Sequence, residues 1–128
     1  MPPASRLPAP TGTFSKAERI RTTGEFKRVY LRGWHVAGER FVCYVLPNGA
    51  ARSRLGISVS RKYGDSPRRN RLKRVVREAF RQVRDGVPRP ADLVIVARTA
   101  ARGASRPQVA EDLERLVAQA FATRRRRG

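Results

Sequence analysis

Apolar residues recur along this chain with two periods, and each change of period marks a predicted element. In "TTGEFKRVYLRG", Phe26, Val29 and Tyr30 share one helical face; Thr22 and Glu25 have capping-box spacing and Gly33 supplies a stop, which predicts a short helix. "RFVCYVLPNG" alternates and closes on a Pro-Asn-Gly turn, predicting a strand, with Trp34 to Glu39 as its hairpin partner. "SRLGISVSRKYG" is another alternating strand: Leu55, Ile57 and Val59 point one way, Gly56, Ser58 and Ser60 the other.

In "SPRRNRLKRVVREAFRQVRDG" the period becomes helical again. Leu72, Val75, Val76, Ala79, Phe80 and Val83 form one buried stripe; Ser66 is the expected N-cap, Pro67 the first helical residue, and Gly86 and Pro88 the end. The near-continuous apolar run "ADLVIVART" predicts a strand buried on both faces. A last helix starts near Ser105, where Gln108 completes a second capping box, and carries the stripe Val109, Leu113, Leu116, Val117, Ala120 and Phe121. The order α-β-β-β-α-β-α predicts an α+β fold, a single-domain two-layer α/β sandwich. At 128 residues one core is expected. Residues 1–13, rich in Pro, Ala, Ser and Thr, read as a disordered arm, 14–121 as the folded domain and 122–128 as a basic tail.

Charge changes the picture. Lys and Arg number 29 against 10 acids, a net charge of +19, so the chain repels itself unless a polyanion neutralises it. Nucleic acid is the leading partner, and the preponderance of arginine suits phosphate oxygens and base edges. An anionic membrane surface is the other candidate, but the apolar stripes are needed for the core. Cys43 stands alone inside an apolar run and reads as a buried thiol in a reducing, cytoplasmic setting. With His35 the sole histidine, neither a Cys-His dyad nor a metal cluster is supported. The stretch "MPPASRLPAPTGTF" has no apolar run of signal-peptide type.

At about 100° per residue, Asn70, Lys73, Arg74, Arg77, Arg81 and Arg84 fall in one arc opposite the apolar stripe. A face built for solubility mixes acids among its bases, whereas this helix has only Glu78 and Asp85, at one edge. A polyanion-binding ridge is the stronger reading. Within it an uncharged carboxamide, Asn70, both donates and accepts, suited to a base edge or sugar hydroxyl while neighbouring arginines hold phosphates. The positive end of the helix dipole favours an anion at the same place. This pattern fits RNA and DNA equally.

The stretch "RLGISVSRKYGDSPRRNRLKRVVREAFR" resembles the signature of the bacterial ribonuclease P protein subunit, in which a strand ending in Ser and basic residues leads into an Arg-Asn-Arg helix. The Phe-Tyr pair of "EFKRVYLRG", the strands "RFVCYVLPN" and "DLVIVAR" and the closing helix follow in the family's order, over about Arg19 to Phe121. The resemblance implies a partner RNA that, with Mg2+, cleaves precursor tRNA to give the mature 5′ end, while the protein, with no cofactor of its own and requiring no protein partner, binds the single-stranded 5′ leader. It also implies a left-handed β-α-β crossover. Carried over residue by residue, it assigns Arg68, Arg69, Asn70, Arg71, Lys73, Arg74, Arg77 and Arg81 to the catalytic RNA, and Phe26, Tyr30, Tyr44, Ser58, Ser60, Arg61 and Lys62 to a leader cleft. Read without it, Phe26 and Tyr30 would be helix core. The chain departs from the family pattern at Asp65, Ser66 and Pro67, which place an anion beside the basic helix. Composition alone fits a small basic ribosomal protein or RNA chaperone equally well; the matched motif separates them. A protein nuclease acting alone would need clustered acids, and Asp65, Asp85 and Asp92 lie on different elements.

Overall fold

The apolar run read as a doubly buried strand lies inside a four-stranded sheet, as that reading requires. A computed structural model describes residues 19–127, with side chains as far as 123. The order is α1 (Thr23–Arg32), β1 (Trp34–Ala37), β2 (Phe41–Pro47), β3 (Arg54–Val59), α2 (Ser66–Val83), β4 (Ala91–Ala97) and α3 (Arg106–Arg127), with short 3-10 turns after α2 and β4. The expected arm, residues 1–13, falls outside the described residues, and the expected basic tail begins inside α3, whose backbone runs to Arg127.

The sheet order is β1-β2-β4-β3, with β2 antiparallel to both β1 and β4, and β3 parallel to β4. Helix α2 makes the crossover between these adjacent parallel strands. One sheet face, carrying Phe41, Cys43, Val45, Leu55, Leu93 and Ile95, packs against the stripes of α2 and α3 to form the main core. Trp34 fastens the edge strand to α3, its Nε1 donating to the Ala120 carbonyl at 2.9 Å. The opposite face has a smaller cluster of Ile20, Val29 and Val94 beneath α1, which covers only part of it.

Local chemistry sets the helix ends. At α1 the capping box is complete: Glu25 N–H donates to Thr22 Oγ1 at 3.1 Å, and Thr22 N–H to Glu25 Oε1 at 3.1 Å. Ser105 and Gln108 make the same exchange at α3. At α2 the structure corrects the sequence reading by one position. Asp65, not Ser66, is the N-cap, accepting from Arg68 N–H at 3.1 Å, so Ser66 is already helical and Pro67 follows it. A carboxylate is the stronger acceptor there, facing the dipole of a helix whose first turn has no other acid.

A charged chain of contacts anchors α1 to the sheet. Arg54 grips the buried Asp92 with two bonds, Nε to Oδ1 at 2.9 Å and Nη2 to Oδ2 at 2.6 Å, and its Nη1 reaches Glu25 Oε2 at 2.9 Å. Asn48 Nδ2 also donates to Asp92 Oδ1 at 2.9 Å. Backbone N–H groups of Arg21 and Thr22 outweigh partial burial and, helped by Arg54, pull the Glu25 carboxyl down to about 2. Burial pushes the Asp92 carboxyl up, but bonds from Arg54 and Asn48 override it and leave the group below its usual range.

Two predictions follow from how α1 is held. A Cβ on Gly33 would lie 2.3 Å from the Val45 carbonyl oxygen and 2.8 Å from that of Val29. Gly33→Ala should therefore cost at least about 1–3 kcal/mol in urea denaturation, because backbone rather than a pliant side chain must move; a wild-type midpoint would refute the close approach. The depressed carboxyls of Glu25 and Asp92 contribute stability that is fully present above the unfolded-chain values near ~4 and is lost as pH falls through the folded ones, about 2 for Glu25. Glu25→Gln should be less stable at neutral pH and lose less stability on acidification from about pH 5 towards 2. Unchanged acid sensitivity in that variant would remove Glu25 from the anchor.

Candidate nucleic-acid interface

Two surfaces carry the residues singled out by sequence. The first is the outer arc of α2. Asn70, Arg74 and Arg81 are exposed, and Lys73 and Arg77 half-buried beside the apolar stripe. Burial lowers the Arg77 guanidinium from its usual value, and the charges of Arg19 and Arg74 lower it further. Three cations thus crowd one another, Arg19 coming from the segment that bridges to Leu55 at the edge of β3. Sequence reasoning did not anticipate Arg19; only its chain pairing to β3 brings it there. Glu78, the nearest acid, is turned away into an ion pair with Arg106 of α3 at 3.0 Å.

The Arg-Asn-Arg triplet is less uniform than its spelling. Arg69 is half-buried, its Nη2 donates to Ser66 Oγ at 3.0 Å, and its buried Nε has no partner among the described residues. Arg68 and Arg71 are exposed, but at ~100° per residue they lie outside the arc centred on Asn70; Arg68 lays its stem alongside Gly64. The structure therefore gathers Asn70, Lys73, Arg74, Arg77 and Arg81 into one ridge and sets Arg68 and Arg71 on its flank.

The second surface is the half-covered sheet face. Register aligns His35, Tyr44, Val94 and Gly56 in one row across the four strands, and Ala37, Val42, Val96 and Ser58 in the next. Helix α1 covers the first row. Phe26 lies against Gly56, where a Cβ would meet its ring carbons and the Cβ of Ile20 at 3.0 Å, so a larger residue there would require the ring to shift. Tyr30 meets Tyr44 edge-on at 4.8 Å between centroids, with Phe26 behind it at 6.3 Å. The second row is not fully covered: Val42, Val96 and Ser58 are half-exposed and Ala37 is exposed. A shallow groove results, with α1 as its wall and small side chains as its floor.

Beyond Ser58, the groove runs to Ser60, Arg61 and Lys62, all exposed in the turn before α2. That turn is fixed from beneath. Arg102 donates to the carbonyls of Tyr63 at 2.7 Å and Lys62 at 2.9 Å, and Tyr63 is buried. Neither Arg102 nor His35 was predicted from sequence. His35 stacks on Tyr44 at 4.9 Å and extends the aromatic row to the sheet edge; strand parity opposite Tyr44 was the signal for it. Cys43 points into the core, and burial pushes its thiol up to about 12, so no thiolate is on hand at neutral pH. Among the described residues no three His, Cys, Asp or Glu side chains gather as a metal site, and no helix is long and apolar enough to cross a membrane.

A ridge of guanidinium groups recognises phosphates, and exposed aromatics beside cations recognise unstacked bases, a pairing that fits folded RNA on one side and a single strand on the other. Comparison with known proteins gives the family. The family model described as Ribonuclease P matches residues 14–120. The ribonuclease P protein component of Shouchella clausii is 41% identical over 106 residues, covering 82% of this chain and 87% of the relative, and that of Caldanaerobacter subterraneus 40% over 102 residues, covering 80% and 88%. Among solved structures, a Staphylococcus aureus RNase P protein mutant with defective mRNA degradation activity superposes with a TM-score of 0.75 at 36% identity over 83% of this chain and 90% of its own. The RNase P protein from Thermotoga maritima gives 0.67 at 34%, covering 77% and 97%.

Proposed function

The chain belongs to the ribonuclease P protein family, the protein component of the ribonucleoprotein that processes tRNA 5′ ends, and we propose that it divides its two surfaces between the two RNAs of that reaction. The α2 ridge of Asn70, Lys73, Arg74, Arg77 and Arg81, with Arg68, Arg69 and Arg71 beside it, holds the catalytic RNA. The groove of Phe26, Tyr30, Tyr44, Ser58, Ser60, Arg61 and Lys62 holds the 5′ leader of precursor tRNA. Hydrolysis is carried by the RNA and its Mg2+ ions; the protein positions the substrate.

One observation supports this division above the others: Tyr30 and Tyr44 meet at 4.8 Å beside a half-open floor of Val42, Val96 and Ser58. A duplex keeps its bases stacked inside and offers nothing to such a surface, whereas a single strand can splay a base onto a ring. Product tRNA lacks the leader, so groove contacts favour precursor over product. Two polyanions brought together repel, and a body of net charge +19 placed between them lowers that cost.

The decisive experiment mixes the purified protein with bacterial ribonuclease P RNA at low Mg2+ and follows cleavage of precursor tRNA. A rate above that of RNA alone is expected, and no gain would refute the function. Arg74→Ala or Arg77→Ala should weaken binding to the catalytic RNA and reduce its salt slope by about 1. Tyr44→Ala should instead cost roughly 1–3 kcal/mol of precursor affinity with little effect on product. If these variants lower only thermal stability, the division of surfaces is wrong.

A further inference from the structure

The groove does not end at Tyr30. On α1, Glu25 is turned to Arg54 on one flank, so the opposite flank borders the open floor. Going round the helix from Tyr30 at ~100° per residue, the next positions are Lys27 and Leu31, then Arg28 and Arg32. All four are exposed, and Leu31, at 79%, is the most exposed large apolar side chain described, followed by Tyr30 at 37%. Glu25 is the only acid of α1 and is already bonded to Arg54 and to the backbone of Arg21 and Thr22. Arg28 adds its charge to those holding Asp92 ionised, but Lys27, Arg28 and Arg32 have no ion pair among the described residues.

We propose that this outward face of α1 is a continuation of the leader site, receiving the upstream nucleotides of a long 5′ leader as they leave the groove over Tyr30. The occupant is argued from charge and continuity. Cations without an ion pair among the described residues call for phosphates, and an exposed leucine among them adds an apolar contact that a splayed base can use and a duplex cannot. Because Lys27 is three residues from Tyr30 and four from Leu31, a strand resting on Tyr30 meets both within one helical turn. The α2 ridge packs on the other side of the sheet, so a chain crossing α1 stays clear of the face assigned to the catalytic RNA. The inference rests on the groove being the leader site.

The test compares two precursor tRNAs, one with a leader just long enough to fill the groove and one with a much longer single-stranded leader, bound to holoenzyme assembled from the full chain. Wild type should bind the long-leader precursor more tightly. In the Lys27→Ala/Arg28→Ala/Leu31→Ala variant that advantage should shrink about five- to tenfold, and the salt slope for the long leader should fall by about 1.4, or 0.7 for each of two cations lost on a single strand. Alanine keeps the helix intact, and circular dichroism checks it. A loss shared equally by both leaders, a loss of affinity for the catalytic RNA, or an undiminished long-leader advantage overturns the proposal. Tyr44→Ala, run in parallel, separates the two readings. If it leaves precursor-product discrimination intact, the groove assignment falls and takes the extension with it; if it abolishes discrimination while the α1 variant keeps its long-leader advantage, only the extension falls.

Discussion

Everything that makes one sheet face usable depends on how a buried carboxylate is neutralised. Asp92 lies in the central strand β4, where an unpaired charge would be severely destabilising. Arg54 on the neighbouring strand meets it with two bonds and has one nitrogen left for Glu25. Through that nitrogen the N-terminus of α1 is drawn to one end of the sheet, while Gly33 lets its C-terminus lie directly on β2. Between these two fixings the helix can cover one row of the sheet and not the next. The partly open row thus lies beside a helix fixed at both ends.

The same economy governs charge across the molecule. Glu25 and Asp92 serve Arg54, Asp112 joins Arg40 to Arg115 between the β1–β2 turn and α3, Glu78 pairs with Arg106, and Asp65 caps α2. Five of the 10 acids are therefore committed to holding elements together. Few are left to neutralise outward-facing arginines, so the surface keeps a net positive potential. Asp65 shows that an anion next to the basic helix need not weaken it: its carboxylate is occupied by backbone N–H and sets the first turn from which Arg69 and Asn70 project.

Much of this was legible in one dimension. Period and turn residues gave all seven elements in order, because each stripe is long and each end is marked by a cap or a glycine. Both capping boxes were readable, since their partners are three residues apart. What lay beyond reach was contact between distant segments. Asp92 appeared only as one of several scattered acids, and its partner Arg54 is 38 positions away in sequence. His35 entered the reckoning as an unlikely catalyst, yet strand register makes it the neighbour of Tyr44. Ser66 reads as the cap from sequence, because propensity ranks Ser and Asp nearly equal and only geometry shows that the neighbouring Asp65 holds the place. The family resemblance carried Arg68 and Arg71 into the RNA-binding set as letters of a motif, whereas helical angle puts them beside the ridge.

The strand order has a consequence for how the molecule comes into being. β4 is inserted between β2 and β3, so apart from the single bridge to Arg19, β3 has no strand neighbour until residues 91–97 have been synthesised. Pairings this remote in sequence are slow to close. During that interval the arginine-rich helix already exists as chain, its like charges opposing the compaction that would seat it. A nucleic acid present during synthesis would relieve that repulsion and favour the compact state by mass action. RNA binding and compaction of this chain are on that account thermodynamically linked, each favouring the other.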